Sequence, residues 1–184
     1  METTKNEMPP YARKFFNKLS NYLDNKFYFY GSIQRDDYFP KSSDIDCDLF
    51  TDNESSTITK LQNFLGVKRY EFKKIVYRLH KSDKVIYGYK IKYEDIDNNF
   101  TTEISIYDEK YKEPILLEHN SKAYLPFYVS QPLIFLKFVY YNLGILSKEN
   151  YTFFKKFLMN FMVEGVDVEF ITTEIPKPKN ELIN

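Results

Sequence analysis

Tryptophan is absent from the chain, cysteine occurs once and histidine only twice. A lone thiol, Cys47, excludes an internal disulfide framework and any cysteine-built zinc site. It points to a reducing, intracellular setting, and its place among apolar neighbours suits an inert small side chain. His80 and His119 are too far apart for metal-ligand spacing and read as structural or surface residues. No apolar run reaches the ~18 residues that a bilayer span needs, and the opening METTKNEMPPYARKFF lacks the apolar core of a signal peptide. A cytoplasmic location without a membrane partner is therefore expected, and the Asn-x-Ser/Thr triplets at Asn53, Asn99 and Asn150 carry no glycosylation meaning. Net charge is missing too. The 26 basic residues balance 26 acidic ones, so no global field draws the protein onto nucleic acid or an anionic surface. A local basic run survives at Lys68, Arg69, Lys73, Lys74 and Arg78.

What the chain does have is apolar and aromatic mass: 43% apolar residues, with 17 Tyr and 17 Phe among 184. That is enough for one domain, which at this size hides roughly 70% of its unfolded surface. Pro9-Pro10 opens a helix whose Tyr11, Phe15, Leu19 and Leu23 form an apolar stripe. KFYFY follows as a short strand ended by Gly31, and Gly31 to Ser43 reads as a turn plus a loop or short helix. SDIDCDLF alternates: Ile45, Cys47 and Leu49 face one way, Asp44, Asp46 and Asp48 the other. SSTITKLQNFLG reads as a helix capped by Ser55 or Ser56 and stopped by Gly66. Three further strands, FKKIVYRLH, KVIYGYKIKY and FTTEISIY, carry the chain to Tyr107. Val85, Tyr87, Tyr89, Ile91 and Tyr93 line one face of the middle strand, either as a half-buried sheet face or as a platform for nucleobases. Residues from Glu109 to Ser130 look irregular. A buried helix after Pro132 and a second over Lys148 to Val163 make a hairpin around Gly144, and residues 172–184 read as a loose tail.

Acids crowded on one strand face need a counter-charge. Asp44 and Asp46, two residues apart on an extended chain, hold their carboxylates roughly 6.5–7 Å apart on the same side. A hard divalent cation relieves that repulsion, and an oxygen-only donor set suits Mg²⁺ or Mn²⁺. Two such ions ~3.5–4 Å apart are the standard arrangement for in-line phosphoryl transfer. The Gly31-Ser32 turn after a strand offers backbone N–H groups and a hydroxyl to an anion. The two pieces are separated by the 11 residues from Ile33 to Ser43, enough to return to a neighbouring strand. Asp48, a pleat further on, reads as a solvated or supporting residue.

The segment YGSIQRDDYFPKSSDIDCD resembles the signature of the DNA polymerase β-type nucleotidyltransferase superfamily: Gly, then Gly or Ser, a spacer, and Asp-apolar-Asp/Glu. It is most similar to the minimal nucleotidyltransferases. Gly31, Ser32, Arg35, Pro40, Ser43, Asp44, Ile45 and Asp46 match their pattern, with a slightly longer spacer. The resemblance covers residues 10–145. It implies a third carboxylate on a later strand, for which Glu103 is the candidate and Asp108 the fallback, and a triphosphate-binding lysine on a following apolar helix, Lys137 by position.

The expected fold is α/β (α+β), a single domain over residues 1–184. A short mixed sheet forms a nucleotidyltransferase core over 10–110, with helices on one face and a C-terminal helical hairpin over 130–165. The expected activity is transfer of a nucleoside monophosphate from a nucleoside triphosphate, ATP among the candidates, to an acceptor hydroxyl, with release of pyrophosphate. Asp44, Asp46 and Glu103 would hold two Mg²⁺ or Mn²⁺ ions, and Gly31, Ser32, Arg35, Ser43 and Lys137 would bind phosphates. Arg35 has a second possible role, pairing with Asp36 or Asp37. The acceptor is left open among a nucleic-acid end, a protein and a small molecule. Two other readings stand beside this one: a catalytically silent nucleotide- or partner-binding module of the same fold, and a single-stranded RNA binder using the tyrosines and the basic run.

Overall fold

The computed structural model describes residues 3–40, 42–79, 84–162 and 171–175. The element order is α1 (Pro10–Leu23), β1 (Phe27–Tyr30), β2 (Ile45–Thr51), α2 (Glu54–Leu65), β3 (Lys73–Arg78), β4 (Val85–Asp95), β5 (Phe100–Asp108), α3 (Lys112–Ala123), α4 (Phe127–Phe138), α5 (Lys148–Met162) and β6 (Ile171–Glu174). Pro10 sits in the first turn of α1, where its missing N–H would have had no helical partner. The buried stripe of α1 is Ala12, Phe16, Leu19 and Leu23. Tyr11 and Phe15 flank it half-buried, so Ala12 and Phe16 take the buried places expected of Tyr11 and Phe15, while Leu19 and Leu23 keep theirs. The reason is Phe16, whose ring meets those of Phe27, Phe29 and Phe100 at 5.6, 4.9 and 5.9 Å.

One mixed sheet runs in the order β1-β2-β5-β4-β3-β6. β2 and β5 are parallel, and the other neighbouring pairs are antiparallel. The face carrying Phe27, Phe29, Cys47, Leu49, Ile91, Ile104 and Ile106 packs with α1 and α2 into the main core. On the other face, Phe50, Ile75, Ile86 and Tyr107 form a smaller cluster with Ile115 of α3. Asp46, Asp48 and Glu103 share that second face by strand parity. The tyrosine stripe of β4 is mostly a packed sheet face: Ile91 is buried, Tyr89 packs on the core and Tyr93 stacks on Phe15 at 5.4 Å. Tyr87 stays exposed.

Several local expectations are corrected. α2 is capped by Asn53, whose side chain accepts from the Ser56 N–H at 3.0 Å. The polar side chain just before the first turn outcompetes the serines inside it. The stretch from Glu109 to Ser130 is not irregular but holds α3 and the start of α4. α3 buries only Ile115 and Glu118, too few to write an apolar stripe into the sequence. α4 begins at Phe127 and runs through Pro132, whose ring removes one hydrogen bond, near the start of the helix. α4 is apolar all round, burying Val129, Leu133 and Leu136 while Phe127, Tyr128 and Phe135 stay exposed. Gly144, left-handed at φ 62°, ends it before the turn into α5. The loose tail expected from residue 172 is corrected at its start, because Ile171–Glu174 pairs antiparallel with β3. The rest of the tail, His80 and Val163 lie outside the described residues. Among those residues no helix is long and apolar enough to cross a membrane.

Phe16 is fully buried at the meeting of α1, β1 and β5. Phe16→Ala is expected to cost about 3–5 kcal/mol, measured as a lower urea midpoint with an unchanged slope.

Candidate active site

The site begins where β1 stops. Tyr30 pairs with Asp46 across the antiparallel β1–β2 ladder, so the next residue, Gly31, turns directly over the Asp46 side chain. Gly31 has φ 73°, and a Cβ placed on it would lie 2.5 Å from Asp46 Oδ2. Both its left-handed backbone and this approach therefore require glycine. A single 3-10 turn, Gly31–Gln34, follows and buries Ser32 and Ile33. The glycine bend and the acid of β2 thus meet in one place.

Glu103 joins them by register. It is the partner of Asp46 on the parallel β2–β5 ladder, one strand spacing (~4.8 Å) away on the same face. Burial first, then the charge of Glu103, pushes the Asp46 carboxyl up to about 7. Two lysines of β4 offset the remaining acidity: Lys90 binds Glu103 at 2.6 Å and Lys92 approaches Asp44 at 3.5 Å. Among the described residues no three side chains already converge as a metal centre. The donor set nevertheless fits a hard cation in its chemistry, being three carboxylates with two of them in register on adjacent strands. Asp108 turns away to cap the following turn, accepting from the Lys110 N–H at 3.0 Å, which leaves Glu103 as the third acid of the cluster.

A second ionic group braces the loop after the bend. Asp37, 1% exposed, accepts from Arg35 Nε at 2.8 Å and NH2 at 3.1 Å, and from Lys137 Nζ at 2.8 Å. Lys137 also donates to the Asp37 carbonyl at 2.6 Å. Burial alone would raise the Asp37 carboxyl, but the hydrogen bonds and charges of Arg35 and Lys137 outweigh it and hold the group at about 2. Of the two roles open to Arg35, pairing with Asp37 is the one seen. Ser43 braces the same loop, its hydroxyl accepting from the Phe39 N–H at 3.1 Å.

These groups line a cavity of about 730 Å³ between the second sheet face, α3 and the α4–α5 hairpin. Gly31, Ser32, Arg35, Ser43, Asp44, Asp46, Glu103 and Lys137, all the site residues expected from the sequence, lie in its wall. Sequence reasoning missed several others, and it left Asp48 as either a solvated or a supporting residue, of which burial rules out the first. Asp48 is fully buried and bonds His119 Nε2 at 2.7 Å, and His119 stacks on Tyr30 at 3.9 Å. Tyr140, Tyr141 and Tyr151 form an aromatic wall, with Tyr140 and Tyr151 stacked at 4.2 Å. The tyrosines were legible only as core candidates, since nothing local in the sequence says which side of a hairpin meets the sheet. The basic run from Lys68 to Arg78 does not line this cavity; Arg69 packs over Tyr89 instead, at 5.6 Å.

The sequence model of the nucleotidyltransferase domain family matches residues 11–119, which hold the bend, all three acids and His119. The chain belongs to that family. Nucleotidyl transfer is the activity for which that family is named. Among solved structures, one described as the structure of a GLD-2/RNP-8 complex is similar at 14% identity and a TM-score of 0.38, covering 80% of this chain and 54% of that one. The present chain thus spans about half the length of that neighbour. No curated protein matches. The family match ends before α4 and α5, so the chain closes its cavity with elements outside the matched region.

Two outcomes follow from the charges. Asp37 ionises more easily folded than unfolded, so its contribution is full above its ordinary value of 3.8 and fades as pH falls through about 2. Asp37→Asn is expected to cost about 3–5 kcal/mol at pH 7 by leaving two enclosed cations unpaired. In urea titrations the gap to the parent protein should narrow below pH 4. Asp46 behaves oppositely: its raised value means that ionising it opposes folding, with a penalty that grows between 3.8 and about 7. Asp46→Asn, in metal-free buffer, is expected to raise the melting temperature at pH 8 and leave it nearly unchanged at pH 4.

Proposed function

We propose that the chain is a magnesium-dependent nucleotidyltransferase that acts inside the cell and moves a nucleoside monophosphate from a nucleoside triphosphate to an acceptor hydroxyl. The observation that carries this reading is the contact between the Gly31 backbone and the Asp46 carboxylate, in a cavity that also holds Ser32, Asp44 and Glu103. Asp44, Asp46 and Glu103 would hold two Mg²⁺ or Mn²⁺ ions, which supply charge neutralisation for the triphosphate and acidity for the attacking hydroxyl. The Gly31-Ser32 bend takes phosphate oxygens on its backbone N–H groups and the Ser32 hydroxyl. Arg35, Ser43 and Lys137 set the shape and charge of the wall beside them. Glu103 favours loss of the acceptor's proton. The acceptor oxygen forms a bond to the α-phosphorus as the bond to the β-phosphate oxygen breaks, and pyrophosphate leaves. Catalysis on this account is positioning plus charge neutralisation.

One observation favours a second reading. Asp44 and Glu103 are each held by a lysine of β4, as in a fold that binds a nucleotide without turnover. Incubation with α-labelled nucleoside triphosphates, Mg²⁺ and a panel of oligonucleotide, protein and small hydroxylated acceptors separates the two. The transferase reading expects labelled acceptor and pyrophosphate, both lost by at least about 10³-fold in Asp44→Ala with Asp46→Ala. Metal-dependent thermal protection by nucleotide without label transfer would establish the silent binder instead. A salt-sensitive affinity for single-stranded RNA that ignores Mg²⁺ would favour the RNA-binding alternative.

A further inference from the structure

The charge accounting of the cavity goes one step further, resting on the proposed reaction. Its basic lining residues are Arg35, Lys92, Lys122, Lys137, Lys148 and Lys155. Four of them are committed to carboxylates. Arg35 and Lys137 share Asp37 at 2.8 Å each, Lys92 approaches Asp44 at 3.5 Å, and Lys122 binds Glu118 at 2.8 Å. Lys148 and Lys155 make no ion pair through their ammonium groups with any described residue. Both come from α5 and both face the cavity.

We infer that Lys148 and Lys155 of α5, rather than Lys137 of α4, are the cations that receive the β- and γ-phosphates of the nucleoside triphosphate. Two features support this. Lys148, Tyr151, Thr152, Lys155 and Met159 are the α5 residues in the cavity wall, and their spacing of three and four residues makes them one helical face. That face is fixed: Tyr151, 8% exposed, stacks on Tyr140 at 4.2 Å with the rings 11° apart, and the Thr152 hydroxyl donates to the Lys148 carbonyl at 2.8 Å.

Lys137 cannot serve in the same way without leaving its enclosed pair. It is 3% exposed, with Nζ held by both the carbonyl and the carboxylate of Asp37. Its role is to position: it ties α4 to the loop that follows the bend. Lys148 and Lys155 are exposed and form no salt bridge with a described residue, so a polyphosphate gains two charge-assisted bonds without breaking one among those residues.

Calorimetric titration with magnesium tripolyphosphate, a probe without a base, tests this assignment. Lys148→Met and Lys155→Met should each weaken binding about tenfold and together about a hundredfold, with the melting temperature unchanged and Lys155→Arg restoring most of the loss. Lys137→Met should lower the melting temperature yet bind the probe within about threefold of the parent when measured below it. Parent-like binding by the double α5 variant, or loss of binding in folded Lys137→Met alone, would overturn the assignment while leaving the transferase reading intact. If the parent protein binds neither the probe nor any of the four magnesium nucleoside triphosphates, the proposed reaction itself falls, and the assignment with it.

Discussion

The site depends on one contact, between the backbone of a left-handed glycine and a carboxylate. Gly31 follows the last paired residue of β1, and that residue sits opposite Asp46 in the ladder. The bend therefore cannot be displaced along the strand without shifting the register of β1 on β2, which would turn Phe27 and Phe29 out of the core. Any side chain at position 31 would collide with Asp46 Oδ2. Sheet pairing, core packing and the meeting of the glycine bend with an acid are thus one constraint.

Around that contact the protein distributes charge unevenly. Two of the acids on the open sheet face, Glu103 and Asp44, are met by Lys90 and Lys92 of β4, while the loop after the bend is tied to α4 through Asp37. Each arrangement solves a different problem. The β4 lysines keep three neighbouring carboxylates tolerable in a partly enclosed face, and they remain exposed enough to exchange partners. The Asp37 group is largely buried, with Arg35 and Lys137 reaching the cavity wall, and acts as a clamp that ties the loop to α4. A neutral overall balance hides this local segregation, so net charge says little about what the cavity attracts.

The fold was legible where a signal is local and the periodicity clean. The alternation of SDIDCDLF placed Asp46 on the face opposite Cys47 and Leu49, and the glycine after KFYFY marked the bend. The parity of β5 singled out Glu103, although its register with Asp46 depends on a parallel pairing between strands more than fifty residues apart, which no local pattern encodes. α3 escaped because it buries too few residues to write a stripe, and the first turn of α4 because Pro132 looked like a beginning although it lies inside the helix. Lys137 could be placed near the site by its position in an apolar helix, but its partner, Asp37, lies a hundred residues earlier. The α5 lysines could not be recognised at all, because the face that α5 turns inward is set by the stacking of Tyr151 on Tyr140.

The central claim is that the bend and the acids serve the same bound ions and phosphates. A crystal grown with Mn²⁺ and a non-hydrolysable nucleoside triphosphate, with the metal located by its anomalous scattering, tests it most directly. The account expects metal density between Asp44 and Asp46, with the triphosphate resting on the Gly31-Ser32 bend. Manganese bound elsewhere, or a nucleotide seated away from Ser32 with Asp46 still free, would contradict it.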